Sequence, residues 1–251
     1  IGPLNDMTKR ALNKIATETE GGRPDVALIT LSDIEREADL LHLDVLRLRV
    51  IRLQGDCHRL MFQPQQAREQ YQAVWSEASG EPWNSSLAPE DWPAEAVAVF
   101  PTIRSNERRK EFAHAVRGLA GLAHLEGRWE RAAELFDKAD SFFGSVMPTG
   151  LDGKARVAIG RAEMFRSQGR VLDARSAISA VNLPKDAMAS LRARVEFTWG
   201  RLEYGERKYN EAATHFEEAL RILTDLQEDL PFEEALRRLR TMPVNAFALC
   251  I

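Results

Sequence analysis

The chain has 251 residues, a formal net charge of −4 from 34 Lys and Arg against 38 Asp and Glu, and two cysteines. That length supports a sizeable core, and the acidic balance argues against a global affinity for nucleic acid. Cys57 and Cys250 lie far apart without a C-x-x-C spacing, and no apolar run approaches the ~18 residues of a membrane helix, so the composition fits a cytoplasmic protein without a zinc site or disulfide framework.

The opening stretch IGPLNDMTKR is neither a signal peptide nor a native initiator, and reads as the edge of an excised fragment. Residues 4–20 can form a helix, interrupted by EGGRPD at 20–25. From Ile34, the apolar positions 34, 38, 41, 45, 48 and 55 trace one helical stripe, which predicts one long helix or two abutting ones. N-terminal helices are therefore expected over 4–47.

Four helical pairs follow, at about 48–78, 107–143, 155–182 and 191–226. The second is the clearest. Val116, Leu119, Ala120 and Ala123 form one stripe, and Trp129, Ala132, Ala133, Phe136, Ala139 and Phe143 form another. Between them LEGR is long enough only for a tight antiparallel turn, with Gly127 free to take the left-handed conformation. Small residues at Ala120 and Ala132 let the backbones approach, while Trp129 and Phe136 fill the space beyond. The device recurs around three other anchoring alanines. A small residue lies 12 positions before each (Gly55, Ala162, Gly200) and a bulky one four after (Tyr71, Ile178, Phe216). Such internal repetition indicates stacked supersecondary units. Residues 79–105 break the pattern with Pro82, Pro89, Pro93 and Pro101. They read as an insertion with room for a short helix, whose Trp83 and Trp92 are expected to pack down on a neighbouring surface as a structural cover, the alternative being a partner-contacting element. A capping helix is expected over 231–241, followed by the apolar MPVNAFALCI, suited to pack on the last repeat or to belong to a missing continuation.

These residues resemble the tetratricopeptide repeat family, whose pattern of aromatic, Leu-Gly, Tyr, then Ala, Phe and Ala is best matched by 116–139 and 196–219. The match is fair over 158–181 and weak over 51–74. The anchoring alanines are 65, 42 and 38 residues apart, where the family's repeat is 34, and the terminal proline is missing. The resemblance covers roughly 48–226. It implies an all-α fold, a right-handed superhelical solenoid of antiparallel hairpins.

No sequence feature supports catalysis. GLDGKA at 150–155 lacks the phosphate-loop spacing and has Ala155 where a hydroxyl would meet magnesium. His114 and His124 are about three helical turns apart, too far for one metal, and read as partly exposed polar residues. Cys57 reads as a buried thiol. No catalytic residue, cofactor or metal is expected.

The resemblance implies that the first helix of each pair lines a concave face. Residues 18, 15, 11 and 8 before each alanine fall on a single stripe. They are Arg49, Arg52, Asp56 and Arg59; His114, Arg117, Gly121 and His124; Arg156, Ile159, Glu163 and Arg166; and Arg194, Phe197, Arg201 and Tyr204. Half are arginine, where random placement of the 34 cations would put about two. Arginine favours bidentate capture of carboxylate or phosphate. The family's carboxylate clamp is not reproduced, because Asp56, Gly121, Glu163 and Arg201 occupy its asparagine places. The expected function is a non-catalytic interaction module that binds an acidic or phosphorylated segment of a protein or peptide through Arg49, Arg52, Arg59, His114, Arg117, His124, Arg156, Arg166, Arg194, Phe197, Arg201 and Tyr204. The competing reading is internal pairing of these arginines with acids of the next repeat. Two other functions remain open. One is a ligand- or peptide-sensing regulatory domain of a larger bacterial transcription or signalling protein, its pocket closed by the tryptophan segment 82–92. The more distant one is an enzyme assembled across repeats.

Overall fold

A computed structural model describes residues 23–40, 42–84, 91–148, 150–183 and 187–225. The helices predicted over 4–20 and 231–241, and the terminal MPVNAFALCI, lie outside them. Among the described residues the chain is all-helical. The elements are α1 (Pro24–Leu40), α2 (Asp44–Leu60), α3 (Pro64–Ser79), α4 (Trp92–Val99), α5 (Asn106–Leu125), α6 (Trp129–Ser145), α7 (Leu151–Ser167), α8 (Val171–Ser179), α9 (Ala189–Gly205) and α10 (Tyr209–Asp225). None of these is long and apolar enough to cross a membrane.

Each hairpin reverses through the same turn. One residue takes a left-handed conformation, and the next amide donates to the carbonyl five residues earlier, satisfying an orphan group at the helix end. The left-handed residues are Phe62, Gly127, Gly169 and Arg207, each five before its anchoring alanine. The matching bonds are Gln63 to His58 (2.9 Å), Arg128 to Ala123 (2.8 Å), Arg170 to Phe165 (2.9 Å) and Lys208 to Glu203 (2.9 Å).

A fifth such turn corrects the sequence reading. His42 has φ 52° and Leu43 donates to Ala38 (2.8 Å), so the stripe read from Ile34 to Gly55 does not run on through one helix. The chain doubles back, and Ala27 and Leu31 of α1 pack against Val50, Leu53 and Cys57 of α2. This hairpin escapes the repeat pattern because its anchor position holds Arg47 in place of alanine. Arg47 is bound instead by Asp39 (2.6 Å) and Glu77 (2.5 Å).

Successive hairpins stack through aromatic rings set on glycines. Tyr71 of α3 is fully buried; a β-carbon on Gly55 would meet its ring at 2.7 Å and one on Gly118 at 2.3 Å. Phe136 of α6 covers Gly160 of the next hairpin in the same way, at 2.6 Å. Each second helix thus packs on the following first helix: α3 on α5, α6 on α7, α8 on α9. The first helices α2, α5, α7 and α9 also lie side by side in that order. Trp129 departs from its expected role; at the start of α6 it is 38% exposed and lies over His124, while Phe136 is buried as expected.

The insertion forms α4, which packs on α6. Trp92 is buried, Trp83 meets Trp75 edge-on at 5.1 Å, and Phe100 stacks on Phe142 at 4.1 Å. These aromatics cover the α3–α6 side, as the covering role requires.

Arg207 is exposed and left-handed, where Gly127 and Gly169 serve in the sister turns. Relief of a strain of about 1–2 kcal/mol exceeds the ~0.5–1 kcal/mol of chain entropy that glycine adds to the unfolded state. Urea denaturation of Arg207→Gly is expected to show a gain of about 0.5–1 kcal/mol.

Candidate functional site: an arginine face across four helices

The first helices gather most of the candidate arginines around two carboxylate foci. One centre is Asp56 on α2. Arg52 lies 3.1 Å from its Oδ2, Arg117 of α5 donates to both carboxylate oxygens at 3.0 and 3.1 Å, and Arg59 approaches to 3.7 Å. The Tyr71 hydroxyl donates to Oδ1 at 2.8 Å. Arg52 is shared, because its Nε also donates to Glu111 of α5 at 3.1 Å. A second focus is Glu163 on α7, held by Arg166 (3.2 Å) and by Arg201 of α9 (2.8 Å). His124 bridges toward α7 through Ser167 Oγ at 3.1 Å. Internal pairing therefore engages Arg52, Arg59, Arg117, Arg166 and Arg201. These five arginines share the three carboxylates Asp56, Glu111 and Glu163.

Arg194 is different. Half-buried on α9, it has no ion pair within 4 Å among the described residues. Burial, followed by the charges of Arg59 and Arg117, pushes its pKa down to about 10, and the charges of Glu163 and Asp56 oppose that. Arg156 is lowered to about 9 by burial and then by Arg194. Arg49 is lowered by burial, with Glu111 opposing and Arg52 adding to the shift. The Nε atoms of Arg59, Arg117 and Arg201 are buried and make no hydrogen bond among the described residues. Buried donors of this kind are rare and call for an acceptor.

At Asp56 burial alone would raise the carboxyl pKa. Arg117, Arg52 and Arg59, with the Tyr71 hydroxyl, outweigh it and hold the group well below the usual carboxylate range. Tyr71 moves the other way, raised by burial and then by the charge of Asp56.

Two predicted site residues are engaged in packing with α10. Phe197 is 3% exposed, in the core between α9 and α10 against Phe216 (5.5 Å). Tyr204 sits at the hairpin turn, with its ring on Tyr209 at 5.5 Å. Phe197 lies beneath the row, with the Arg201 guanidinium 6.0 Å from its ring centroid. His114, read as partly exposed, is buried, its ring edge-on to Phe143 at 4.7 Å. Burial, then Arg52 and Arg117, keeps it neutral, well below its ordinary pKa. Ile159, also on the predicted stripe, is core. Glu196 and Glu203 face outward, to His215 (2.8 Å) and Arg175 (2.9 Å).

Sequence reasoning passed over Glu111 and the polar role of Tyr71. The signal for a carboxylate focus was present: Asp56 lies four residues after Arg52 and three before Arg59, which puts all three on one helical face. The reach of Tyr71 from another helix had no local signature. Among the described residues no three His, Cys, Asp or Glu side chains group as a metal site requires.

No family model and no curated protein matches the chain. Its fold is similar to the solved structure of BtubC (BKLC) from P. vanneervenii, at 14% identity and a TM-score of 0.43, over 83% of this chain and 94% of that one. What the arginine face can do follows from its own residues.

Removing one partner of a buried ion pair costs about 3–5 kcal/mol, far more than the ~0–1 kcal/mol of an exposed pair. Asp56→Asn is expected to lose about that amount in urea denaturation, because it strands Arg117, while Arg52 keeps Glu111. His114 adds a pH dependence. The unfolded chain takes up its proton below about 6.5 and the folded chain does not, so stability should fall by up to about 1.4 kcal/mol per pH unit as pH drops from there toward the folded pKa. Urea titrations at pH 7.5 and 5.5 should show His114→Gln losing less stability over that interval than the parent.

Proposed function

We propose that the chain is a non-catalytic interaction module, a right-handed superhelical array of tetratricopeptide-like hairpins whose concave face takes an anionic segment of a protein or peptide. The observation that carries this reading is the surplus of guanidinium groups over carboxylates on a face built by α2, α5, α7 and α9. The side-by-side packing of these first helices and the ring-on-glycine stacking support the architecture. Internal ion pairing is also part of the picture. It fixes the face's shape and leaves the surplus for a ligand, so the binding residues are a subset of the arginines rather than all of them.

The sensing-domain alternative asks the tryptophan segment to close over the face. Trp83 and Trp92 instead pack toward Trp75 and α6, which favours an open groove.

The test is binding of acidic, phosphorylated and neutral peptide pools to the parent and to an Arg156→Glu/Arg194→Glu variant, across a salt series. The parent should prefer anionic peptides with an affinity that falls as salt rises, and the variant should lose about tenfold or more. Equal binding of neutral peptides, or no salt dependence, would reject electrostatic recognition.

A further inference from the structure

We infer that His124 makes binding at the arginine face proton-linked: an imidazolium there donates to the anionic segment, and the face holds its ligand more tightly as pH falls. This rests on the interaction function proposed above and specifies its regulation. Three features of the residue carry it.

The first is position. Asp56 and Glu111 tie α2 to α5, and Glu163 ties α7 to α9. His124 stands between these foci, in the last turn of α5, and reaches Ser167 of α7 at 3.1 Å. One turn earlier on α5, Gly121 lies against the side chain of Arg59, where a β-carbon would stand 3.3 Å from its Cδ. Ser167 follows Arg166 directly and lies one turn beyond Glu163 on α7. The imidazole therefore belongs to the same polar row as both foci.

The second is which ring nitrogen is committed. The Ser167 hydroxyl has one proton and donates it to the Met164 carbonyl at 2.7 Å. Its oxygen is left to accept, so the nitrogen that meets it, Nε2 of His124, carries a hydrogen. In the neutral ring Nδ1 is then the bare lone pair. It makes no hydrogen bond among the described residues and, unlike Nδ1 of His114, is not sealed from solvent. Protonation at Nδ1 leaves the bond to Ser167 in place and adds a second donor, charged and accessible. The contact between α5 and α7 thus survives the change of charge.

The third is what surrounds the ring. Burial holds the His124 pKa below its ordinary value; Glu163 of α7 opposes this, while Arg59 of α2, Arg166 of α7 and Arg201 of α9 add to it. On its own hairpin Trp129 offers only a ring, and Glu126 is engaged by Arg68 and Arg128. In the free chain at neutral pH the imidazole is therefore uncharged. An anion seated among these arginines reverses the balance by favouring the imidazolium, so the complex binds more protons than the free chain. Affinity then rises as pH falls, by up to about tenfold per pH unit.

Fluorescence anisotropy of the intact chain with an Asp-rich peptide, at pH 7.5 and 5.5 and constant ionic strength, tests this; the peptide's carboxylates stay ionised over that interval. The parent should bind about threefold or more tightly at the lower pH. So should His215→Gln, which removes an imidazole paired with Glu196 instead. His124→Gln, whose amide can still donate to Ser167, should show no such gain. Ring NMR of the parent gives a reading that needs no variant: the His124 imidazole should be the Nε2–H tautomer when free, and should titrate at a higher pH with the peptide bound. A parent without the gain, a gain that persists in His124→Gln, or a His124 titration unmoved by the peptide overturns the proton linkage and leaves the interaction function standing. A peptide that binds at neither pH removes the interaction function and the linkage with it.

Discussion

Tyr71 is the side chain on which both the stacking and the arginine face depend. Its ring occupies the space that two missing β-carbons leave, on Gly55 within its own hairpin and on Gly118 in the next. That close approach brings α3 down onto α5 and sets α2 beside α5. With the ring fixed there, its hydroxyl reaches Asp56, and Asp56 in turn gathers arginines from both helices. A packing constraint thus becomes an electrostatic one within a single residue. A larger side chain at Gly118 would push the helices apart and dissolve the carboxylate focus with them.

The network is costly to assemble and is stabilised by sharing. A buried carboxylate is tolerated only when its charge is matched and its lone pairs are filled. Asp56 meets both conditions through Arg117, Arg52 and the Tyr71 hydroxyl. The arginines are less fully served. In the later hairpins burial lowers the pKa of Arg156 and Arg194, and neighbouring arginines lower them further. Proteins commonly hold such strain at places where a ligand relieves it. The order of the pairs also divides the labour: Asp56 and Glu111 join α2 to α5, and Glu163 joins α7 to α9.

The insertion between the first two hairpins complements this arrangement. Its aromatic residues add to the core on the α3–α6 side, where Phe100, Phe112 and Phe142 already meet. An extra helix there thickens the outer layer and leaves the row of first helices uncovered by α4. The α1–α2 hairpin extends the array at the other end through the same turn geometry, with ion pairs around Arg47 doing what alanine does elsewhere.

The amino-acid sequence by itself determined the hairpins and their repetition. Helical periodicity and a small residue near each crossing are local properties, readable wherever the anchor is alanine, whereas the left-handed turn was legible at Gly127 and not at Phe62 or Arg207, which carry no glycine signal. The same locality made the α1–α2 turn unreadable, since Arg47 does its anchoring through partners 8 and 30 residues away. The sequence also placed arginines on one helical stripe. Only the tertiary structure decided which of them are neutralised, because Asp56 meets Arg117 across 61 residues and Glu163 meets Arg201 from a different hairpin. It likewise decided that Phe197 belongs to the core and Arg194 to the charged face. Those outcomes depend on how far each helix rotates against its neighbours, a quantity set by side-chain volumes summed over the whole stack rather than by spacing along the chain.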